Sequence, residues 1–321
     1  MTSFGEAAQK TRAWLEANFD RDGRCRIDPA DARYYPKTPY LMTMAGMREQ
    51  GARVAQQVMA QFVGDAGELA SPAPLENRIY AMGWLVLGAT VTERFDLANI
   101  LADRLEHYQD RQSGGIVLPD ADAGEEVAEV CFSGGAGMAF AAAGRLEAAR
   151  KMANTFEALI VEQGAAGCFY NRFRRDGSVL ARKAGGEWEK AYDLQEDEQR
   201  PANFATVVNA LVWTARALRE KGYLQAARRY VDLVYRHRRD PAQFGRATKF
   251  GWSMLNLHAE TGDSDLLERA REMGEVLVAK QSPDGLWNPQ PGDVEDAPAF
   301  ARLAYSADCA MTVCALANLG G

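Results

Sequence analysis

Two kinds of hydrophobic pattern alternate along the chain. Stretches such as residues 5–20, 93–110 and 265–281 carry apolar residues every three or four positions with charged residues between them, a spacing typical of helices with one buried face. Other stretches, such as residues 38–47 and 76–89, are apolar on nearly every side, which is typical of fully buried helices. The alternation predicts about twelve helices in six pairs, each with an outer and an inner member.

The links between these helices differ in length in a regular way. Links from an outer to an inner helix are mostly long, such as residues 65–74 and 164–200, whereas a link from an inner to an outer helix is only a few residues, such as 48–51. In a closed ring of antiparallel pairs, all long loops must then lie where the inner helices begin. Long loops often carry function, and helix N-termini present free N–H groups. We therefore predict an all-α fold, an (α/α)6 toroid in which one domain over residues 1–321 opens into a pit at that end.

The longest link, residues 164–200, is predicted to contain a small β-hairpin. Alternating apolar runs flank Asp176 and Gly177, and Asp-Gly between such runs favours a tight turn joining two strands. Such a hairpin could serve as a flap over the pit. The link over residues 113–129 is rich in glycine and acidic residues and is predicted to be a loop.

Charge and composition narrow the possible partners. The formal net charge of -7 argues against a nucleic-acid partner, because phosphate binding needs an excess of lysine and arginine. Residues 1–20 carry charges within their apolar pattern, so we predict that they are neither a signal peptide nor a membrane span. We therefore expect a cytoplasmic location. The cysteines form no CxxC pair, and the histidines (His107, His237 and His258) lie within predicted helices. With no P-loop or dinucleotide-binding motif either, we expect no metal and no cofactor.

One stretch carries a recognisable repeat motif. Residues 277–287 read LVAKQSPDGLW, and Leu277, Gln281, Gly285 and Trp287 within it resemble the Gln/Trp motif of terpenoid cyclases and protein prenyltransferases. Weaker echoes, each a helix end followed by a glycine-bearing turn and an apolar residue, occur over residues 19–27, 107–116 and 160–169.

A second stretch, residues 248–263, reads TKFGWSMLNLHAETGD and is similar to the helix pairs of six-hairpin glycosidases. Both groups are α/α toroids whose central cavity opens at the N-terminal ends of the inner helices. The resemblance therefore implies that fold and a cavity at that end. It does not extend to catalytic motifs, because the chain has no DxDD motif, no Asp/Cys/His zinc set and no paired histidines like those of sugar epimerases of this shape.

Residues at the predicted starts of the inner helices should face the pit. The polar and aromatic residues that we predict to contact substrate are Lys37, Asn77, Arg78, Tyr80, Trp84, Phe132, Asn203, Phe204, Lys249, Trp252, Trp287 and Tyr305. The cations among them favour an anionic group such as a carboxylate or phosphate, unless each neutralises an acid in a neighbouring loop. The aromatics would form apolar walls or sugar-stacking platforms, unless they are plain core.

Five residues are candidates for acid or base chemistry. Asp308 lies in an otherwise apolar helix predicted over residues 306–319, where a carboxylate is costly unless it is paired, functional or a helix cap. Glu129 and Glu198 come from long links near the mouth. Tyr40 could donate a proton if a cation lowered its pKa. Cys131, at a helix N-terminus, is either a stabilised thiolate or a plain buried thiol.

Three functions fit these residues. Our main expectation is a cofactor-independent enzyme of the lyase, isomerase or cyclase type, acting on a small, partly apolar anionic substrate. The first alternative is a carbohydrate-active hydrolase or lyase with two acids across the mouth and aromatics that stack on sugar. The second alternative is a non-catalytic binding or scaffold protein, which predicts a flat mouth filled by side chains. The sequence leaves the oligomeric state open.

Overall fold

The computed structural model describes residues 3–120, 125–164, 168–180, 191–193, 203–237, 248–289 and 297–319. Within these ranges the helices, numbered in chain order, are α1 (Ser3–Asn18), α2 (Thr38–Met44), α3 (Arg48–Phe62), α4 (Leu75–Val91), α5 (Phe95–Tyr108), α6 (Val130–Ala142), α7 (Leu146–Gln163), α8 (Phe204–Leu218), α9 (Gly222–His237), α10 (Phe250–Thr261), α11 (Ser264–Lys280) and α12 (Ala299–Leu319). A 3₁₀-helix, Ala32–Tyr34, precedes α2.

The helices form two concentric rings. The even-numbered helices pack in sequence, and α12 returns onto α2 to close the inner ring, while the odd-numbered helices cover it from outside. The (α/α)6 toroid predicted from the hydrophobic pattern is therefore confirmed. The rings are tight in places: a Cβ at Gly134 would lie 2.6 Å from the Thr206 hydroxyl, so glycine lets α6 approach α8 closely. None of the helices in the described ranges is long and apolar enough to cross a membrane.

Short strands extend from the mouth of the ring. Their bounds are β1 (Val117–Asp120), β2 (Glu125–Glu129), β3 (Cys168–Tyr170), β4 (Arg172–Phe173) and β5 (Ala191–Asp193). The first two form an antiparallel hairpin whose outer edge is extended by β4, and β3 pairs with β5. The predicted hairpin in the 164–200 link is confirmed, because Phe173 bridges Val179 around a turn that contains Gly177.

The prediction of a loop over residues 113–129 is wrong, because strands β1 and β2 of an antiparallel hairpin lie in that link. Its strands are short and bear several acids, which hides the alternation that normally indicates a strand. The buried side chains of Val127 and Ala128 anchor it to the ring.

The start of α12 also differs from the prediction. The helix begins at Ala299 rather than at residue 306. The overlooked signal is Pro298, whose carbonyl accepts the backbone N–H groups of Ala301 and Arg302, followed by a run of good helix formers. Asp308 is therefore well inside the helix, and a helix-capping role for it is excluded.

The Gln/Trp motif joins the last two helices to the first. The Gln281 side-chain amide donates to the carbonyl oxygens of Ala7 (2.9 Å) and Gly285 (3.0 Å). Trp287 donates through Nε1 to the Leu277 carbonyl (2.7 Å), while its backbone N–H donates to Ser306 Oγ in α12 (2.9 Å). The motif therefore closes the ring.

Glycine is required in this turn. Gly285 has φ +91°, and a Cβ there would lie 2.4 Å from the Lys10 carbonyl oxygen in α1.

One of the weaker echoes, residues 107–116, performs the same task elsewhere. Gln109 donates to the carbonyls of Gly114 and of Ala148 in the outer helix α7, both at 2.9 Å. The Ile116 N–H donates to Ser133 Oγ in α6 (3.0 Å), as Trp287 does to a serine in α12. One local design thus joins an outer helix to the next outer and inner helices at two places in the described part of the ring.

We predict that Gln281→Ala lowers the free energy of unfolding by about 1–3 kcal/mol, because it removes two hydrogen bonds that the side-chain amide donates to buried carbonyl oxygens of α1 and of the turn. Urea denaturation would measure the change. The matched control is Gln56→Ala on the exposed face of α3, which should stay within about 0.5 kcal/mol of wild type. Equal stability of the two variants would contradict the proposed role of the motif.

Candidate functional site

A cavity of about 700 Å³ lies at the mouth of the helix ring. Several of its lining residues sit where inner helices begin. Lys37, Asn203 and Lys249 are the N-cap residues of α2, α8 and α10, Phe132 lies in the first turn of α6, and Tyr80 lies in the second turn of α4. The inner helices therefore begin at one common rim, as the loop lengths predict.

A buried charge cluster forms one wall of this cavity. Asp308 Oδ1 accepts from Lys37 Nζ at 2.7 Å, and Lys249 Nζ lies 3.5 Å from Oδ2. Lys249 Nζ also donates to the Tyr80 hydroxyl at 2.8 Å. The three charged side chains are only 7–13% exposed, so this is an ion-pair network shielded from solvent. Both lysines are engaged by Asp308, an acid in α12 rather than in a loop.

The cluster fixes the ionisation of its members. Burial opposes the charge on Asp308, but the positive charges of Lys249 and Lys37 outweigh burial and hold the pKa of this carboxyl below its usual range. Burial also opposes the charge on Lys249, yet Asp308 and Tyr80 raise its pKa above the ordinary lysine value. For Lys37, burial outweighs Asp308, and its pKa is lowered. At neutral pH, Asp308 is therefore a carboxylate.

Glu129 stands on the opposite wall. It caps α6, with Oε2 accepting from the Phe132 backbone N–H and Oε1 from Asn171 Nδ2, both at 3.1 Å. In the inner ring α6 is three helices away from α12 in either direction. Two carboxyl groups, those of Glu129 and Asp308, thus line one cavity from opposite sides.

Several predicted residues are brought together at this cavity. Those that line it are Lys37, Asn77, Tyr80, Glu129, Cys131, Phe132, Asn203, Lys249 and Asp308. Arg78 and Trp84 instead line a second, adjacent cavity of about 380 Å³. Glu198 lies outside the described residues.

Other predicted residues belong to the core. Tyr40, Trp84 and Trp252 pack against one another with ring centroids 5.5–6.4 Å apart, and Trp213 joins them. This cluster fills the centre of the ring across α2, α4, α8 and α10. The prediction that Trp252 contacts substrate is not supported, because it lines neither cavity.

Phe204, Trp287 and Tyr305 also line neither cavity. Phe204 packs edge-on to Phe169 at 5.0 Å, and Trp287 belongs to the motif that closes the ring. Tyr305 lies in the second turn of α12, which begins earlier than expected.

Two acid/base candidates are corrected by their surroundings. Burial raises the pKa of Cys131 to about 12, with a further contribution from Glu129, which favours the plain buried thiol over the thiolate alternative. Burial likewise raises the pKa of Tyr40, and no cation lowers it below the ordinary value. Neither residue is suited to proton transfer.

Some of the cavity residues were not selected from the sequence. Asn171 and Arg172 reach the cavity because β4 pairs with β2, a contact between two separate links. Leu118, Pro119 and Val127 arrive on the β1–β2 hairpin. Residues 168–173, CFYNRF, are the alternating run before Asp176 in the predicted hairpin, and that run was the available signal for Asn171 and Arg172. Within the described ranges, no group of three His, Cys, Asp or Glu side chains is placed to hold a metal ion.

Comparison with solved structures identifies the architecture. An inactive variant of an α-1,6-mannanase of glycoside hydrolase family 76 from Salegentibacter sp. HEL1_6, in complex with α-1,6-mannotriose, superposes with a TM-score of 0.65 at 14% identity, over 98% of this chain and 99% of that one. The chain has the α/α-toroid fold of these enzymes. No protein-family model and no curated protein sequence matches it.

Two further enzymes share this fold. An unsaturated glucuronyl hydrolase specific for heparin gives a TM-score of 0.64 at 11% identity, over 99% of this chain and 98% of that one. A D-mannose isomerase gives a TM-score of 0.62 at 14% identity, over 98% of both chains.

These comparisons overturn our main functional expectation. The prediction of a lyase, isomerase or cyclase acting on a partly apolar anionic substrate is wrong. The similar structures are carbohydrate-active enzymes, and glycoside hydrolases are prominent among them. The first alternative, a carbohydrate-active hydrolase, agrees better with these comparisons and is taken up below as a proposal. The scaffold alternative predicted a filled mouth, whereas an open cavity is present.

We predict that Asp308→Asn destabilises the protein by about 3 kcal/mol at pH 7, because it leaves two buried lysines without their counter-charge. A carboxyl with a lowered folded-state pKa contributes stability above its unfolded pKa and loses it as pH falls. The difference in the free energy of unfolding between Asp308→Asn and wild type should therefore narrow below about pH 4. Denaturant unfolding between pH 7 and pH 3 measures this difference.

The control for this experiment is Asp103→Asn, which removes a carboxylate that is 66% exposed and should cost less than about 1 kcal/mol. An Asp308→Asn difference that stays constant over the whole pH range would contradict the ion-pair network.

Proposed function

We propose that this protein is a carbohydrate-active enzyme that hydrolyses a glycosidic bond in the 700 Å³ cavity. The observation that carries this proposal is the pair of carboxyl groups, Glu129 and Asp308, presented from opposite inner helices to one cavity. Most glycosidases use two carboxyl groups that flank the bond to be cleaved.

The charge cluster suggests how the two acids divide the work. Lys37 and Lys249 hold Asp308 as a carboxylate, which suits it to act on the anomeric carbon or on the attacking water. Glu129, protonated for this step, gives its proton to the leaving oxygen. The C–O bond to the leaving group breaks and a C–O bond to water forms; the water gives one proton to Asp308 and keeps the other on the new hydroxyl. Transfer of the proton from Asp308 through solvent to Glu129 restores the starting state.

The walls of the cavity suit a sugar. Asn77, Asn171 and Asn203 offer amide groups that can bond hydroxyls, and Phe132 and Tyr80 offer ring faces on which a sugar can stack. Ligand cavities of several hundred Å³ are typical of small-molecule sites. The lining acids, Glu76, Glu129 and Asp308, are matched in number by the lining bases Lys37, Arg172 and Lys249.

One feature separates this chain from the mannanase. The inactive mannanase variants carry substitutions at two consecutive aspartates, whereas no two aspartates are adjacent anywhere in this sequence. The acid pair proposed here comes from two separate helices. We therefore propose the reaction class but not the α-1,6-mannan substrate.

We predict that Asp308→Asn and Glu129→Gln each lower the rate of glycoside hydrolysis by about 10²- to 10⁴-fold, because each removes one carboxyl of the pair. The assay would incubate the protein with neutral and uronic-acid-containing oligosaccharides and identify products by mass spectrometry. Glu106→Gln, on the outer helix α5, is the control and should retain wild-type rates. Full activity in either site variant would refute the assignment, and no cleavage across a broad panel would count against the proposed reaction.

A further inference from the structure

The second cavity adjoins the first one. It has a volume of about 380 Å³ and shares Lys37, Asn77 and Tyr80 with the larger cavity. Its other walls come from the 3₁₀-helix, the loop before α4 and the early turns of α12. A ligand bound across the shared residues would therefore occupy both cavities, with its central bond near Lys37 and Tyr80.

The second cavity differs from the first in chemistry. Leu69, Leu303, Tyr34 and Phe300 give it apolar walls, with the two rings edge to face at a centroid distance of 6.2 Å. Arg33 lies over the Phe300 ring, 3.8 Å from its centroid. The charged residues that line this cavity are all cations, and no acid lines it in the described part of the chain. A ring-sized apolar group fits these walls better than a second sugar, whose hydroxyls need many polar partners.

Two buried donors on the wall have no partner. Arg78 Nε and Trp84 Nε1 are both inaccessible to solvent and make no hydrogen bond to the described part of the chain. Both residues line the second cavity. A buried N–H group without an acceptor typically costs about 1–3 kcal/mol, so an acceptor on a ligand that draws the part-exposed Arg78 side chain toward the cavity would be favoured. Trp84 is fully buried in the central aromatic cluster.

We propose, on the basis of the proposed function, that the substrate is an aryl glycoside. Its sugar occupies the larger cavity, and its aromatic leaving group occupies the second cavity, where an acceptor oxygen on the ring meets the Arg78 guanidinium. Hydrolysis breaks the bond between the anomeric carbon and the phenolic oxygen. Water supplies the new oxygen on the sugar, and the phenol leaves with the proton.

The first test uses 4-nitrophenol alone, which needs no turnover. Isothermal titration calorimetry should show saturable binding to the wild-type protein. Ala304→Phe should weaken it at least about tenfold, because residue 304 lines the second cavity and a phenyl ring there would fill it. Ala317→Phe, the same change near the other end of α12, should bind like wild type. Ala73→Phe, in the loop that lines the cavity, provides a second blocking variant should Ala304→Phe not fold.

A second variant tests the unpartnered donors. Arg78→Met removes the guanidinium group while keeping an apolar stem. It should weaken the binding of 4-nitrophenol by about tenfold, which corresponds to the loss of one good hydrogen bond. Binding of 4-methylphenol, which lacks an acceptor at that end of the ring, should change by less than about twofold. Equal loss for both phenols, or 4-nitrophenol binding that neither blocking variant weakens, would overturn the proposal.

Activity separates this proposal from the one on which it rests. Wild-type protein should hydrolyse 4-nitrophenyl glycosides with a higher kcat/KM than methyl glycosides of the same sugars, and Ala304→Phe should remove that preference. If phenols bind the second cavity but no glycoside is cleaved, the hydrolase proposal fails and the aromatic site stands. If oligosaccharides are cleaved and phenols do not bind, the aromatic site fails and the hydrolase stands.

Discussion

The site depends on one electrostatic constraint, which is that a carboxylate buried inside a helix ring must be surrounded by compensating charge. Asp308 lies in α12, and the inner-ring neighbours of α12 are α10 and α2. The N-cap residues of these two neighbours are Lys249 and Lys37, and both side chains converge on Asp308. The carboxylate therefore joins three inner helices at the rim, and this arrangement keeps it ionised at the edge of the cavity.

Each helical ring has its own source of stability. The aromatic cluster around Trp252 fills the centre of the inner ring, and the larger cavity lies at the rim. The glutamine contacts of the repeated motif join neighbouring outer helices, and its serine contacts join the links to inner helices. With the scaffold fixed in this way, the long links carry cavity groups such as Glu129, Asn171 and the β1–β2 hairpin.

Much of the architecture could be predicted because it follows from local patterns. The alternation of half-apolar and fully apolar helices indicates two rings, and the loop lengths indicate which rim carries the site. Lys37 and Lys249 could be selected because they stand at the predicted starts of inner helices, and Asp308 because it is a carboxylate in an apolar helix. Their pairing could not, because 271 residues separate Lys37 from Asp308 and nothing local records that contact.

The errors have equally physical causes. Trp287 was expected to contact substrate, but the hydrogen bonds of its motif hold the ring closed instead. Asn171 and Arg172 were missed because strand pairing between separate links decides their position. The function was misassigned because isolated cations suggest an anionic ligand until their internal partner is located.

The most direct test of this account is the ionisation of Asp308 itself. Carbon-13 NMR of protein labelled at aspartate carboxyl groups, with the Asp308 signal assigned by its absence in Asp308→Asn, follows that carboxyl through a pH titration. The account predicts a signal that remains in the ionised position from pH 7 down to below about pH 4, the ordinary value for aspartate. A midpoint raised above that value would mean that burial outweighs the two lysines, and it would contradict the assignment of Asp308 as the carboxylate of the pair.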